Sequence, residues 1–400
     1  MEPINHKVQY RDYYGNILVI LSLSRVASEI INTFLWDRAN YLWSLCTLPL
    51  IGALSWLLIM LTLREGKILV SYLPVFAYLS FLMARTNVSN LYSMKCFFSE
   101  FIVWFCFIIT IGICSRDPYA AKRLQTSVIW AIKIIVLIGV GQLAVFLMRV
   151  ASPSPTALLE LRPVQGIFVH PNIYLVVVLP FSFLFLKQRS YVWTILTILT
   201  CLSTGTRSPI LAALLMFVLV LKSILRRPIT RIDVMVTFLL IVVVYSTLIK
   251  LNSYGWHYEN IDSRMSYGTL QWRVDYWRNF LEKNEGLSSW VGHGVGSADL
   301  FESVLGSKGP TMLPHNDYLR ICYDIGFVGL LIFLNLVFFM VRLLMRSITV
   351  DNDFILLSYL VIICFYITDN FVYATHSVWI YMFVASFLIR PSARIERKPS

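Results

Sequence analysis

The chain alternates long apolar runs with short clusters of charge, and this alternation constrains its fold more than any other feature. Hydrophobic residues make up 58% of the 400 residues, and charged residues only 14%. The charges gather between apolar runs of about 20 residues, the length that a helix needs to cross a bilayer. Because backbone polar groups in lipid must be satisfied within the protein, these runs predict an all-α polytopic membrane protein.

Hydropathy predicts twelve membrane-spanning helices. The predicted spans are residues 16–36, 40–63, 68–84, 94–114, 125–148, 168–186, 190–203, 209–223, 232–250, 317–345, 354–372 and 375–390. This divides the chain into nine spans in residues 1–250, a long loop at 251–316, three spans in 317–390 and a basic tail at 391–400. A connection as long as 251–316 usually carries a function.

The distribution of basic residues predicts the sidedness of the chain. With the N terminus inside, nineteen Lys and Arg residues fall in inner segments. The short outer connections hold six, namely Arg38, Arg85, Lys95, Arg149, Arg162 and Arg207. By the positive-inside rule both termini are expected in the cytoplasm and the loop 251–316 outside. The net charge of +12 therefore belongs to membrane loops, and no basic domain large enough to bind nucleic acid is present.

Arg207 lies in a turn between two short apolar spans. From Arg189 to Arg207 is about 18 residues and from Arg207 to Lys222 about 15, which is roughly 27 and 22 Å of helix. Both lengths are slightly short of a hydrocarbon core of about 30 Å, so the turn is expected near the outer membrane surface. A planar guanidinium there suits a phosphate ligand. The alternative is an arginine that merely reaches the lipid headgroups.

The outer loop contains further candidates. Residues 269–283 have helical spacing, with one predicted face formed by Leu270, Val274, Trp277 and Leu281. Arg273 and Arg278 on this helix could close over an anion, although the sequence alone favours the alternative that both are solvated surface arginines. The glycine-rich run Gly292–Gly296 lacks a following Lys-Ser/Thr pair, so it does not indicate a nucleotide-binding loop.

The loop ends at His315, directly before the next apolar helix. Asn316 or Asp317 is predicted to cap that helix, which would leave His315 at its outer end. An imidazole with an ordinary pKa of about 6.5 suits a general base, and the alternative is an interfacial histidine bonded to a backbone carbonyl. The histidines of the chain show no metal-ligand spacing, and neither a metal nor a cofactor is predicted.

The order of these motifs resembles the O-antigen ligase and polymerase family of bacterial envelopes. The matching runs are Arg162…Gly166…His170-Pro171-Asn172, Ser203-x-x-Thr206-Arg207-Ser208, Arg273, Gly292-x-Gly294-x-Gly296, and His315-Asn316-x-x-Leu319 with Gly326-x-x-Gly329. The resemblance covers about residues 160–335 and the twelve-span plan. The first five spans carry little of the family's pattern.

The resemblance implies a metal-independent, inverting glycosyltransferase of the GT-C type in the bacterial inner membrane, with a periplasmic active site. Its donor would be a glycan on undecaprenyl diphosphate. Arg207 and Arg273, with Arg162 as a weaker match, would bind the diphosphate, and His315 would act as base. The remaining substrate-binding candidates are Arg278, His170, Asn172 and Asn316. The other implied partners are a glycan or lipid A-core acceptor and membrane lipids, and the resemblance allows a chain-length regulator.

Three functions are compatible with these features. The leading hypothesis is polymerisation of lipid-linked repeat units into O-antigen or a related surface polysaccharide. The alternative within the family is ligation of the glycan to lipid A-core or another acceptor. A flippase or transporter is a third hypothesis, with which the intramembrane charges Arg25, Glu29, Glu100 and Lys133 are compatible. The absence of repeated halves and the long outer loop speak against transport.

Overall fold

The structure is a computed structural model in which all described elements are helices. It describes residues 16, 19–20, 72–115, 118–150, 171–204, 230, 232–233, 235–236, 239, 243, 277–278, 280–300, 316–347, 354–368, 373 and 378–388. No strand occurs among these residues, which agrees with the predicted all-α class. The number of spans and the GT-C type stay predictions, because several predicted spans lie outside the described residues.

Nine α-helices and one 3-10 helix are described in this part of the chain. They are α1 (Leu73–Ala84), α2 (Leu91–Cys114), α3 (Pro118–Val150), α4 (Pro171–Lys187), α5 (Tyr191–Leu202), α6 (Leu287–Val291), the 3-10 helix Ser297–Leu300, α7 (Asp317–Ser347), α8 (Phe354–Thr368) and α9 (Val378–Phe387). The predicted spans 16–36, 40–63, 209–223 and 232–250 lie wholly or mostly outside the described residues.

Three described helices are long and apolar enough to cross a membrane. They are Leu91–Cys114, Tyr119–Met148 within α3, and Asp317–Ser347. Helix α2 begins three residues before the predicted start at residue 94, because Asn90 caps it by accepting the backbone N–H groups of Tyr92 and Ser93. Helix α3 begins before the predicted residue 125, since its first turns continue through a polar segment that hydropathy does not register.

Helix α2 lies in the interior of the bundle. Nearly all of its side chains from Ile102 to Cys114 are buried, and it packs against α1, α3 and α9. Helices α3 and α7 instead expose apolar side chains along one face, including Trp130 and Ile134 of α3 and Leu331 and Phe338 of α7. A helix that is apolar on all sides belongs in the interior, whereas exposed apolar stripes suit contact with lipid.

Helices α4 and α5 form an antiparallel pair that ends near the turn of Arg207. The hydroxyl of Tyr174 donates to Thr200 Oγ1 over 2.7 Å in the buried interface. Helix α5 ends at Leu202, and the buried Thr204 Oγ1 donates to the carbonyl of Cys201. Helix α5 thus precedes Arg207 in the sequence, and Thr204 is the last described residue before it.

The end of the predicted loop helix is described, and Leu281 of its predicted apolar face is exposed. Trp277, Arg278 and residues 280–282 are helical, in agreement with the prediction, while residues 269–276 lie outside the described part. Phe280 is the buried residue, with its ring centroid 4.2 Å from that of Tyr323 in α7, and Leu281 is 52% exposed. Neighbouring residues on a helix point about 100° apart. The side of the helix that packs against Tyr323 therefore presents Phe280 and leaves Leu281 exposed.

Candidate functional site

Asn316 caps α7 and fixes the start of the helix directly after His315. Its side-chain Oδ1 accepts the backbone N–H of Leu319 over 3.1 Å, and its carbonyl accepts that of Arg320 over 3.0 Å. The cap confirms the sequence prediction and satisfies donors that a helix N terminus otherwise leaves unpaired. Asn316 was also a candidate substrate ligand, but the observed contact of its side-chain oxygen is the cap.

A kink at Gly326 divides α7 and brings the outer loop onto its backbone. Gly326 has φ of 73°, and the carbonyl of Trp290 lies directly against its Cα. Gly292, with φ of 80°, lies in the same way against the backbone of Asp324 and Ile325. A Cβ at either glycine would collide with the opposing backbone, and both φ values are in the left-handed region that favours glycine. The two glycines therefore allow α6 and the following loop to touch α7.

Asp324 binds the glycine-rich run through both its backbone and its side chain. Its carbonyl accepts the N–H of Gly294 over 2.8 Å, next to a bond of 2.9 Å from His293 N to the carbonyl of Tyr323. Its buried carboxylate accepts the N–H of Gly296 over 2.9 Å and that of Ala298 over 2.7 Å. The buried carboxyl group of Asp324 thus gives two backbone N–H groups of the loop a hydrogen-bond partner, and this clasp orders the loop against α7.

Arg320 is a buried cation one turn after the cap of α7. It is 4% exposed and forms an ion pair with Asp299, whose same oxygen also accepts the hydroxyl of Tyr92. Its guanidinium carbon lies 4.7 Å from the ring centroid of Tyr373, and Asp317 Oδ1 lies 3.9 Å from Nη1. A buried charge requires such compensation, so Arg320 serves to connect four segments of the chain.

The ends of α1 and α2 hold the loop from the other side. Arg85 follows the last residue of α1, and its Nη2 donates to the carbonyl of Gly292 over 2.7 Å. Its backbone carbonyl accepts the N–H of Val295 over 3.1 Å. Tyr92 and Cys96 of α2 lie close against Gly296. Arg85 and the outer loop, which the sequence predicted on the same side of the membrane, are thus at the same end of the bundle.

Two of the intramembrane charges have defined partners. Both carboxylate oxygens of Glu100 accept hydrogen bonds inside the bundle, from Trp104 Nε1 over 2.9 Å and from the backbone N–H of Tyr373 over 2.8 Å. The ammonium of Lys133 lies 4.9 Å and 5.1 Å from the ring centroids of Trp130 and Trp193. These contacts account for both charges without a transport pathway, and Arg25 and Glu29 lie outside the described residues.

His293 is the one loop histidine in the described residues, and its environment disfavours protonation. Its ring stacks on Tyr323 with centroids 4.2 Å apart. Partial burial, followed by the positive charge of Arg85, lowers the pKa of His293 below its ordinary value. Desolvation and a neighbouring cation both penalise the imidazolium form, so the neutral ring is the form that fits this loop.

Most of the side chains predicted for the site lie outside the described residues. These are Arg207, Arg273, His315, Arg162 and His170. Among the others, Arg278 is exposed on the loop helix, and the backbone of Asn172 lies in the first turn of α4. The described residues that are nearest in sequence are Asn316, directly after His315, and Thr204, three residues before Arg207, and the roles of His315 and Arg207 stay predictions.

The sequence did not identify the polar residues that hold the outer loop against α7. Arg320, Asp299, Asp324, Tyr92 and Arg85 were not candidates, because each is a single polar residue beside an apolar run. The available signals were indirect: Asp324 stands two residues before Gly326, and Asp299 follows the glycine-rich run. Neither spacing identifies a partner without the fold.

Among the described residues, no group of three or more His, Cys, Asp or Glu side chains could hold a metal ion. His315 lies outside this set, so metal independence stays a prediction.

Comparison with known proteins identifies one family. A family model described as O-antigen ligase matches residues 192–334, about a third of the chain. The matched region runs from α5 through Arg207, Arg273 and the glycine-rich loop into α7, whereas Arg162, His170 and Asn172 precede it. No curated protein matches the chain. Over residues 192–334 the chain is similar to the O-antigen ligase family, which confirms the resemblance of the sequence motifs to that family.

Proposed function

We propose that the protein is an inverting membrane glycosyltransferase that polymerises repeat units linked to undecaprenyl diphosphate at the periplasmic face of the inner membrane. The growing glycan would pass from one lipid diphosphate to a hydroxyl of another lipid-linked repeat unit. The observation that carries the proposal is the cap at Asn316, which fixes the chain directly after His315. The clasp between Asp324 and the glycine-rich run supports it, because it holds the same end of α7 in a defined place.

The proposed chemistry needs cations for the leaving group and a base for the acceptor. As the anomeric carbon–oxygen bond breaks, negative charge grows on the diphosphate, and fixed guanidinium groups stabilise that charge most in the transition state. We assign this role to Arg207 and Arg273, with Arg162 and Arg278 as further ligands. Arg320 is not a candidate, since its guanidinium is buried against Asp299.

His315 would accept the proton of the acceptor hydroxyl. The attack takes place on the face of the sugar opposite to the diphosphate, which inverts the anomeric carbon. A positioned general base contributes roughly 10²–10⁴-fold to such a rate. His170, Asn172 and Asn316 would contact the glycan, and no residue of the mechanism requires a metal.

Glycan transfer by the purified, reconstituted protein tests this proposal. With a lipid-linked oligosaccharide as donor, Arg207→Ala or His315→Ala should lower the rate of transfer by at least about 10²-fold. His293→Gln is the matched control, because it alters a histidine of the same loop that has no proposed contact with substrate. If His315→Ala transferred glycan as fast as this control, the catalytic assignment would be wrong.

Ligation is the second candidate, and the description of the matching family model favours it. In this reaction the same donor would transfer its polymer to lipid A-core. The lipopolysaccharide of a strain that lacks this protein distinguishes a polymerase from a ligase. Core carrying a single repeat unit identifies a lost polymerase, whereas bare core with accumulated lipid-linked polymer identifies a lost ligase.

A further inference from the structure

The membrane-embedded part of α7 begins at its kink. After Gly326 the helix carries no charged residue until Arg342, over about 15 residues or roughly 22 Å. With the long side chain of Arg342 reaching the headgroups, the apolar part extends to Met345, roughly 28 Å and close to the hydrocarbon thickness of about 30 Å. The turns before the kink instead carry Asp317, Arg320 and Asp324, all of them buried in polar contacts. Gly326 therefore marks one boundary of the hydrocarbon core.

One face of α7 beyond the kink is exposed and apolar. Its residues follow one another at intervals of three or four, as one stripe of a helix does. They are Phe327, Leu331, Leu334 and Phe338, exposed by 44%, 50%, 40% and 74%. In a membrane protein such a stripe faces lipid.

Helix α6 continues this stripe at the boundary. Leu287 and Trp290 lie three residues apart on it and are 77% and 57% exposed. The indole of Trp290 meets the ring of Phe327 edge to face, with centroids 5.7 Å apart. The contact sets the two residues on one continuous apolar surface, which we call the boundary patch (Leu287, Trp290 and Phe327).

We propose that α6 lies in the headgroup layer of the bilayer, with Leu287 and Trp290 in contact with lipid, and thereby anchors the long loop to the membrane surface. Tryptophan is enriched at this depth because its ring is apolar and its N–H is polar. The exposed residues Glu282, Lys283 and Glu285 just before α6 form the water-facing side. The occupant of the boundary patch is lipid, because the patch is continuous with the stripe of α7.

The anchor would hold the glycine-rich run at the depth of the headgroups. Helix α6 is joined through Gly292 to the segment that Asp324 and Arg85 bind. Phosphate groups of lipids lie at that depth, which agrees with the proposed donor, but the anchor stands on the geometry alone.

Site-directed spin labelling of the full-length chain in phosphatidylcholine–phosphatidylglycerol nanodiscs tests this inference. A nitroxide at Leu287→Cys should be relaxed more strongly by oxygen, which partitions into lipid, than by a water-soluble nickel chelate. The spectrum of the labelled but unsubstituted protein is subtracted to remove native cysteines. Leu287 is largely exposed, so the substitution removes little packing.

Glu285→Cys, two residues earlier in the polar turn, is the matched control and should favour the nickel chelate. Trp290→Cys provides a second lipid-facing position, with the same expected preference for oxygen as Leu287→Cys. The inference is overturned if the label at 287 is as accessible to nickel as the label at 285. It is equally overturned if both 287 and 290 are shielded from both relaxants, because protein would then cover the patch. Neither outcome bears on glycan transfer, so the anchor can fail while the proposed function stands.

Discussion

The guanidinium of Arg320 is paired with the carboxylate of Asp299 in the interior of the protein. This pair joins the first turn of α7 to the 3-10 helix at the end of the glycine-rich run. Tyr92 of α2 donates to the same carboxylate, and the ring of Tyr373 lies against the guanidinium. Segments that are far apart in the sequence thus meet beside the residue that follows His315.

Removing Asp299 should destabilise the protein strongly. Asp299→Ala leaves the buried guanidinium of Arg320 without its principal counter-charge, and breaking a buried pair in this way costs about 3–5 kcal/mol. The measurement is the free energy of unfolding in detergent. Glu285→Ala removes an exposed acid nearby and should change it by no more than about 0.5 kcal/mol. The double variant Asp299→Ala/Arg320→Met should recover part of the loss; equal stability of Asp299→Ala and wild type would contradict the assignment.

Alanine substitutions at Gly286 and Gly292, which have similar φ values, separate the cost of backbone strain from the cost of a steric clash. Gly286→Ala and Gly292→Ala both place a Cβ at positive φ with an extended ψ, a conformation that costs about 1–3 kcal/mol. At Gly286 a Cβ would meet nothing within 4 Å, whereas at Gly292 it would strike the backbone of Asp324 and Ile325. We expect Gly292→Ala to lower the unfolding temperature clearly more than Gly286→Ala, as measured by differential scanning fluorimetry. Equal losses would mean that the close approach is absent.

Much of the helical frame is predictable from the sequence. Hydropathy located the described long helices to within a few residues at most ends, since apolar runs of this length have few alternatives to a helix. The cap at Asn316 was predictable because its signal is local. The clasp at Asp324 and the pair of Arg320 were not, because they join α7 to residues of α2 and the loop that share no sequence pattern. Long-range polar partners are set by packing, and no periodicity encodes them.

The lowered pKa of His293 predicts that this histidine weakens the folded loop in mild acid. The unfolded chain takes up a proton at His293 with a pKa of about 6.5, and the folded chain does so only at lower pH. The contribution of neutral His293 to the stability of the folded loop is therefore complete above about pH 6.5, and it is lost as the pH falls through the pKa of His293 in the folded protein. The protection factors of residues 292–299, which are exchange rates corrected for the intrinsic rate at each pH, should fall more between pH 7.5 and 5.5 in the wild type than in His293→Gln. The comparison isolates His293 from the carboxyl of Asp324, which accepts hydrogen bonds from the same loop in both proteins. The same pH dependence in both proteins would exclude His293 as a source of the change.

Asn316 connects the stability of α7 with the proposed chemistry. Asn316→Ala removes the cap and should cost about 0.5–2 kcal/mol of stability. Asn316→Asp keeps an acceptor for the N–H of Leu319 and should restore most of that stability, since a carboxylate is also favourable at a helix N terminus. If the cap positions His315, Asn316→Ala should lower kcat for glycan transfer more than it raises KM, and Asn316→Asp should recover kcat. If Asn316→Asp restored the unfolding temperature but not kcat, the cap would not explain the loss of activity. The amide of Asn316 would then contact the substrate itself.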